Sequence, residues 1–353
     1  MKKSKWIYVV VSGFILLGAY SCTKESSLKE YPIADITTNA QEISGNDLDA
    51  QIEHIQLETI EKSLVADIID LVMTNEYIFI LTSTPKVLQF AKDGNFIREI
   101  SMQGNGPGEY KYAFRIFVNE QHKSLYLNEM YGRILEFDFD GAYIGEHKNT
   151  ASMSKFILLS NNNLLESIHV IMGNEPTKLQ VVKLDGDTLA RFGNHIKFKF
   201  IPGSSGLSYG HYKPMFSFDD KIVYHQISTD TVFTYDPISG KLDPRYCFKN
   251  PGGPDAKDYA NFLNKKNDLT LIYDISEDSS FIYATIITPG WKKNLYMIDK
   301  ESGKYYFLNL VTSNDPEQFF SPKWQYNNIL IDYVNKESTN PELVTLKVTG
   351  LSK

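Results

Sequence analysis

The 353-residue chain is poor in the residues that most often announce a function. It has two cysteines, three tryptophans, and seven histidines scattered without ligand spacing. Two cysteines, Cys22 and Cys247, cannot build a disulfide framework, least of all if the first is modified. No His-x-x-x-His pair and no Asp-x-Asp-x-Asp run occurs, so no metal site and no cofactor is expected. The Gly-x-Ser-x-Gly elbow, the Walker loop and the dinucleotide fingerprint are also missing, which removes the common serine-hydrolase, nucleotide-hydrolysing and dehydrogenase signatures. Beyond residue 20 no apolar run approaches the length of a membrane span.

Positive charge is in short supply too, and the N-terminus holds part of it. Lys2, Lys3 and Lys5 precede an apolar run, 6–20, that is short for a membrane span and reads as a targeting segment. It ends in Ala19-Tyr20-Ser21-Cys22, which resembles a bacterial lipobox. That resemblance implies cleavage before Cys22 and lipidation of its thiol; the other reading is an ordinary secretory signal with an incidental cysteine. The expected organisation is a lipoprotein signal at 1–21, a flexible polar tether at 22–46 and one domain at 47–350. Without the leader's three lysines, 33 basic residues face 43 acidic ones, a formal charge of −10. A mature chain this acidic lacks the basic footprint of a nucleic-acid binder. Cys247, in Arg245-Tyr246-Cys247-Phe248, alternates like a strand residue and reads as a small buried hydrophobe.

Aromatics are abundant, 22 Tyr and 21 Phe, and with Val, Ile and Thr they suit pleated, half-buried strands. Short alternating runs recur, punctuated by Asp-Gly or Ser-Gly. The turn glycines fall at 94, 141, 186, 240 and 303, at intervals of 47, 45, 54 and 63. Such a period points to a propeller or solenoid array, and four short strands per unit make a propeller blade. First strands are expected at 68–73, 115–118, 155–159, 215–218, 269–275 and 318–321. The sixth unit lacks a fourth strand, and the spare run at 52–59 would supply it, closing the ring and removing an open edge. The stretch 254–266 departs from this grammar, with Ala256, Tyr259, Ala260 and Leu263 at helical spacing.

The Asp93-Gly94 hairpins, the single Gly104-Asn105-Gly106-Pro107-Gly108-Glu109-Tyr110 loop and Ser228-Thr229-Asp230-Thr231-Val232-Phe233 resemble the six-bladed β-propeller lipoproteins of Gram-negative envelopes. These are related in shape to NHL-repeat propellers. The resemblance implies an all-β fold of six four-stranded blades and an outer-membrane location, periplasmic or surface-exposed. It implies little chemistry.

In such a ring, loops joining one blade's last strand to the next blade's first lie near the channel mouth. Glu109 and Tyr110 on the glycine-rich loop, with Arg115 entering the second unit, present a carboxylate, a phenol and a guanidinium to a polar ligand. Equally, Glu109 caps backbone amides or pairs with Arg115 while Tyr110 packs between blades. A second loop, 202–214, clusters Tyr209, His211, Tyr212 and Lys213, a combination suited to a sugar or peptide. Trp291 is expected on a hairpin tip as an interaction point or a stray aromatic. Two functions stay open. One is a lipid-anchored, non-enzymatic binding or scaffold protein for a glycan, peptide or envelope protein. The other is an envelope hydrolase or lyase at the channel mouth, which requires Glu109 or His211 to meet a partner acid, base or metal there.

Overall fold

A computed structural model describes residues 28–352, apart from 85, 130–131, 149–154, 169, 171, 200–212, 227–228, 252, 254–257, 259–266 and 313–318. Six sheets follow one another along the chain, the first five built on a four-stranded antiparallel meander in sequence order and the sixth on a three-stranded one. Their first strands, Ile68–Met73, Ala113–Asn119, Lys155–Leu158, Met215–Phe218, Leu271–Glu277 and Trp324–Tyr326, are the inner strands of blades one to six. Apolar clusters fill the gap between every pair of neighbours. The one joining blades six and one, with Trp324, Ile331 and Leu343 against Ile68, Leu71 and Ile80, shows that the ring is closed. The fold is thus the six-bladed propeller that the periodicity predicts. The sixth inner strand lies a few residues later than the expected 318–321, at Trp324–Tyr326.

Closure comes from the N-terminal side. Leu48–Gln56 pairs antiparallel with Glu342–Leu351, from Leu48↔Leu351 to Gln56↔Glu342, as the outer strand of blade six. The stretch expected as a tether is structured from Lys29 onward. Lys29–Pro32 adds in parallel to the outer strand of blade four, Lys241–Lys249, as a fifth strand. A short helix, Ile33–Asn39, crosses to blade five, where Gln41–Ser44 adds in parallel to Tyr305–Asn309. Tyr31, Ile33, Ile36 and Ile43 are buried in the inter-blade clusters. Their spacing among polar residues gives a ribbon with one apolar edge, so burial supplies what composition alone does not suggest. The segment straps two blade edges that would otherwise present unpaired backbone.

The five turn glycines all have positive φ, 91°, 84°, 98°, 68° and 71° at Gly94, Gly141, Gly186, Gly240 and Gly303. In blades four and five the turns are longer, and Asp236 and Asp299 organise them by accepting two backbone amides each. At Gly94 the requirement is also tertiary: a Cβ there would stand 2.3 Å from the Gln56 carbonyl oxygen, where the closing strand passes. One buried ion cluster ties blade four to blade five. The Glu277 carboxylate, fully buried, accepts from Arg245 Nη2 at 2.8 Å and from Tyr246 Oη at 2.8 Å, and pairs with Lys300 Nζ at 2.7 Å.

Candidate functional site

The inner strands of blades one, two, three, four and six line a cavity of about 350 Å³ in the central channel. Near the start of every inner strand stands one charged residue: Asp70, Arg115, Lys155, Lys213, Asp274 and Lys323, in blade order. Asp70, Arg115 and Asp274 each follow a β-bulge at the same point of the inner strand, a device that re-aims a side chain. Asp70, Arg115, Lys155, Lys213 and Lys323 line the cavity itself.

The ring's carboxylates are engaged. Asp70, 3% exposed, takes Arg115 Nη1 at 2.8 Å and Trp324 Nε1 at 3.1 Å on one oxygen and the Ile116 amide at 2.9 Å on the other. It therefore links blades six, one and two. Asp332, on the second strand of blade six, accepts from Lys323 Nζ and from the Ser321 amide. Asp274 accepts the backbone amide of Lys213 at 2.8 Å, and burial pushes its carboxyl above the usual range against the pull of Lys213. The Lys213 ammonium donates to Ser276 Oγ and lies 5.6 Å from the Phe216 ring centroid. Burial pushes its pKa down to about 8, with Asp274 acting the other way. Lys155, only 7% exposed, is pushed well below the ordinary lysine value by burial and then by the Arg115 charge.

The expected site residues divide. Arg115 and Lys213 meet at the same cavity. Glu109 does not reach it; its carboxylate accepts the Gly106 amide at 2.7 Å inside its own loop. A Cβ on Gly104 would fall 1.9 Å from that carboxylate, so glycine there makes room for the cap. Arg133 Nη2 holds the Glu109 carbonyl at 3.0 Å and its Nε binds Glu129, which anchors the loop to blade two. Tyr110 is 1% exposed in the cluster between blades one and two, where burial pushes its phenol up, and its hydroxyl has no partner among the described residues. Tyr209, His211, Tyr212 and Cys22 lie outside the described residues, as does nearly all of the expected helix at 254–266. Trp291 is on a hairpin tip, with φ 60°, edge-on to Tyr273 at 6.5 Å. No group of three or more potential metal ligands occurs among the described residues.

Sequence reasoning missed Asp70, Lys155, Asp274 and Lys323. The available signal was one charged side chain entering each inner strand, which shows only once the six strands are superimposed as blades.

Among protein families, the profile described as a domain of unknown function, DUF4934, matches residues 28–346. The chain belongs to the DUF4934 family. No curated protein matches it. This DUF4934 chain is similar in structure to a "Putative exported protein" of Bacteroides fragilis. The TM-score is 0.70 at 14% identity, over 91% of this chain and 99% of that one, a likeness of fold. BamB from Moraxella catarrhalis is more distant, with a TM-score of 0.40 at 9% identity over 72% of this chain and 66% of that one. The DUF4934 match begins at residue 28, just before the strap, so strap and ring fall in one family unit.

Proposed function

We propose that this DUF4934 propeller is an exported, lipid-anchored binding protein of the outer membrane. It takes part of a glycan, peptide or protein partner at the charged end of its channel and does not turn it over. The leader and Cys22 support the anchor, and the similarity to an exported protein of Bacteroides fragilis agrees with export. The observation that carries the binding role is the ring: one charged residue per blade, five of them lining the cavity. Asp70 and Asp332 spend their oxygens on protein donors, an arrangement that fixes walls rather than one that frees a base. The hydrolase or lyase reading loses one of its two supports, because Glu109 is committed to its own loop.

Two measurements test this. Glycan and peptide arrays probed with the mature chain should retain a ligand that Arg115→Ala releases; no retention above background overturns the binding role. For the anchor, wild-type protein should partition into the detergent phase and Cys22→Ser should not. Equal partitioning of the two refutes lipidation.

A further inference from the structure

The charges of the ring do not cancel. Arg115, Lys155, Lys213, Lys323 and the neighbouring Lys293 face Asp70, Asp274, Asp332 and Glu120, five positive charges against four negative, leaving one positive charge over when every lysine is protonated. In three places a carboxylate of the protein already sits on the ring's donors: Asp70 on Arg115, Trp324 and Ile116, Asp274 on the Lys213 amide, and Asp332 on Lys323 and Ser321. The Lys213 ammonium, in the arc of blades three and four, is different. There the ring positions hold Lys155 and Lys213, and among the described residues no carboxylate lies within ion-pair distance of the Lys213 ammonium. Its partner is a neutral hydroxyl, and it lines the cavity.

We propose that this arc binds a small ligand through a single carboxylate, seated on Lys213 beside Lys155 and Arg115, and that binding draws a proton into the ring. The inference rests on the binding role proposed above and names its ligand chemistry. One surplus charge matches a monoanion, and the cavity is near the lower end of small-molecule sites, about 300–1,000 Å³. An ammonium in a low-dielectric wall gains most from an anion that arrives with its hydration removed. Without the anion, the same wall disfavours a full set of charged lysines, because Lys155 stands against Arg115 as well as against burial. Asp70 and Asp274 oppose that effect on Lys155, and Asp274 opposes it on Lys213. Lys323 is neutralised by Asp332. Lys293, 4.1 Å from the Tyr273 ring centroid, interacts with both Asp274 and Lys323. Glu120, which also lines the cavity, is engaged by the Asn75 amide and Tyr326 Oη. An incoming carboxylate favours the protonated forms of Lys213 and Lys155, so affinity falls as pH rises past about 8 and binding takes up protons.

The experiment is titration calorimetry on the mature chain in two buffers of different ionisation enthalpy. Galacturonate is paired with galactose, and acetyl-alanyl-alanine with its amide, so that one arm reads an acidic sugar and the other a peptide C-terminus; inorganic phosphate is the competing anion. The expected result is that at least one carboxylate binds at pH 8, where Lys213 is partly neutral, and its uncharged twin at least tenfold more weakly. That binding should take up protons and weaken at least tenfold with Lys213→Gln, with recovery in Lys213→Arg. A thermal melt shows that each variant is folded. Equal binding of the uncharged twin, preference for phosphate, no proton uptake, no effect of Lys213→Gln in a folded variant, or no heat from any probe at millimolar concentration would each overturn the proposal. A neutral ligand that binds at the mouth removes this inference and leaves the broader binding role standing.

Discussion

Glu166 and His225 are buried titratable side chains held in opposite senses. Glu166 is 0% exposed on the second strand of blade three; one oxygen accepts from the Gln180 amide, and the other has no partner among the described residues. Burial pushes its carboxyl up from 4.5 to about 7. His225, 3% exposed on the second strand of blade four, donates from Nε2 to the Thr229 carbonyl at 2.9 Å, and burial pushes it down from 6.5 to about 4. The raised acid contributes stability that is complete below its unfolded value and lost as pH rises through about 7. The depressed histidine contributes stability that is complete above its unfolded value and lost as pH falls through about 4. Between about pH 4.5 and 6.5 the folded state holds one extra proton at Glu166 and one fewer at His225, so the two slopes cancel. Relative to wild type, Glu166→Gln should therefore gain about 1.4 kcal/mol per pH unit as pH rises through that window. His225→Gln should gain about as much per unit as pH falls, and the double variant should show no slope. Urea midpoints across the window measure this; parallel curves for wild type and both single variants would refute it.

The elements separate into those whose pattern is local and those whose partner is remote. The hairpin strands alternate or run apolar, and their turns carry Asp-Gly or Ser-Gly, so blades one to five are readable from neighbouring residues alone. The strap is not. Lys29–Pro32 and Gln41–Ser44 are four-residue strands whose partners lie more than 200 residues away, and only Tyr31, Ile33, Ile36 and Ile43 betray them among polar neighbours. Polar composition reads as tether when the receiving edge is unknown. The strap has a direct test. Ile36 is 0% exposed between the helix and blades four and five, so Ile36→Ala should cost about 2–5 kcal/mol of unfolding free energy. Asp35→Ala, on the exposed side of the same helix, should stay within about 0.5 kcal/mol. If Ile36→Ala is as silent as Asp35→Ala, the strap is an ornament and the edges of blades four and five are stable without it.

At the scale of the whole molecule, ring and site have the same cause. The site is assembled from single charged residues, 40 to 61 positions apart in sequence, each at the mouth end of a different inner strand. Any one of them reads as an ordinary polar residue at a strand start. Arg115 and Lys213 stood out because they neighbour unusual loops, whereas Asp70, Lys155, Asp274 and Lys323 gain meaning only from closure. Closure depends on Leu48–Gln56, which is paired along its whole length to Glu342–Leu351 while Ile55 packs into the cluster shared by blades six and one. Breaking that ladder exposes an edge of blade six and loosens a neighbouring interface, so it cannot open alone at low cost. Amides of the closing ladder, such as those of Leu343 and Thr345, should then exchange with solvent only through global unfolding. Their opening free energies should equal the global value and shift with urea at the full m-value. Amides in the strap strand Lys29–Pro32, which pairs with blade four on one side only, should open at lower free energy. If the closing ladder exchanges as easily as the strap, blade six opens independently of the rest, and a rigid charged ring at the channel mouth is not what the molecule maintains in solution.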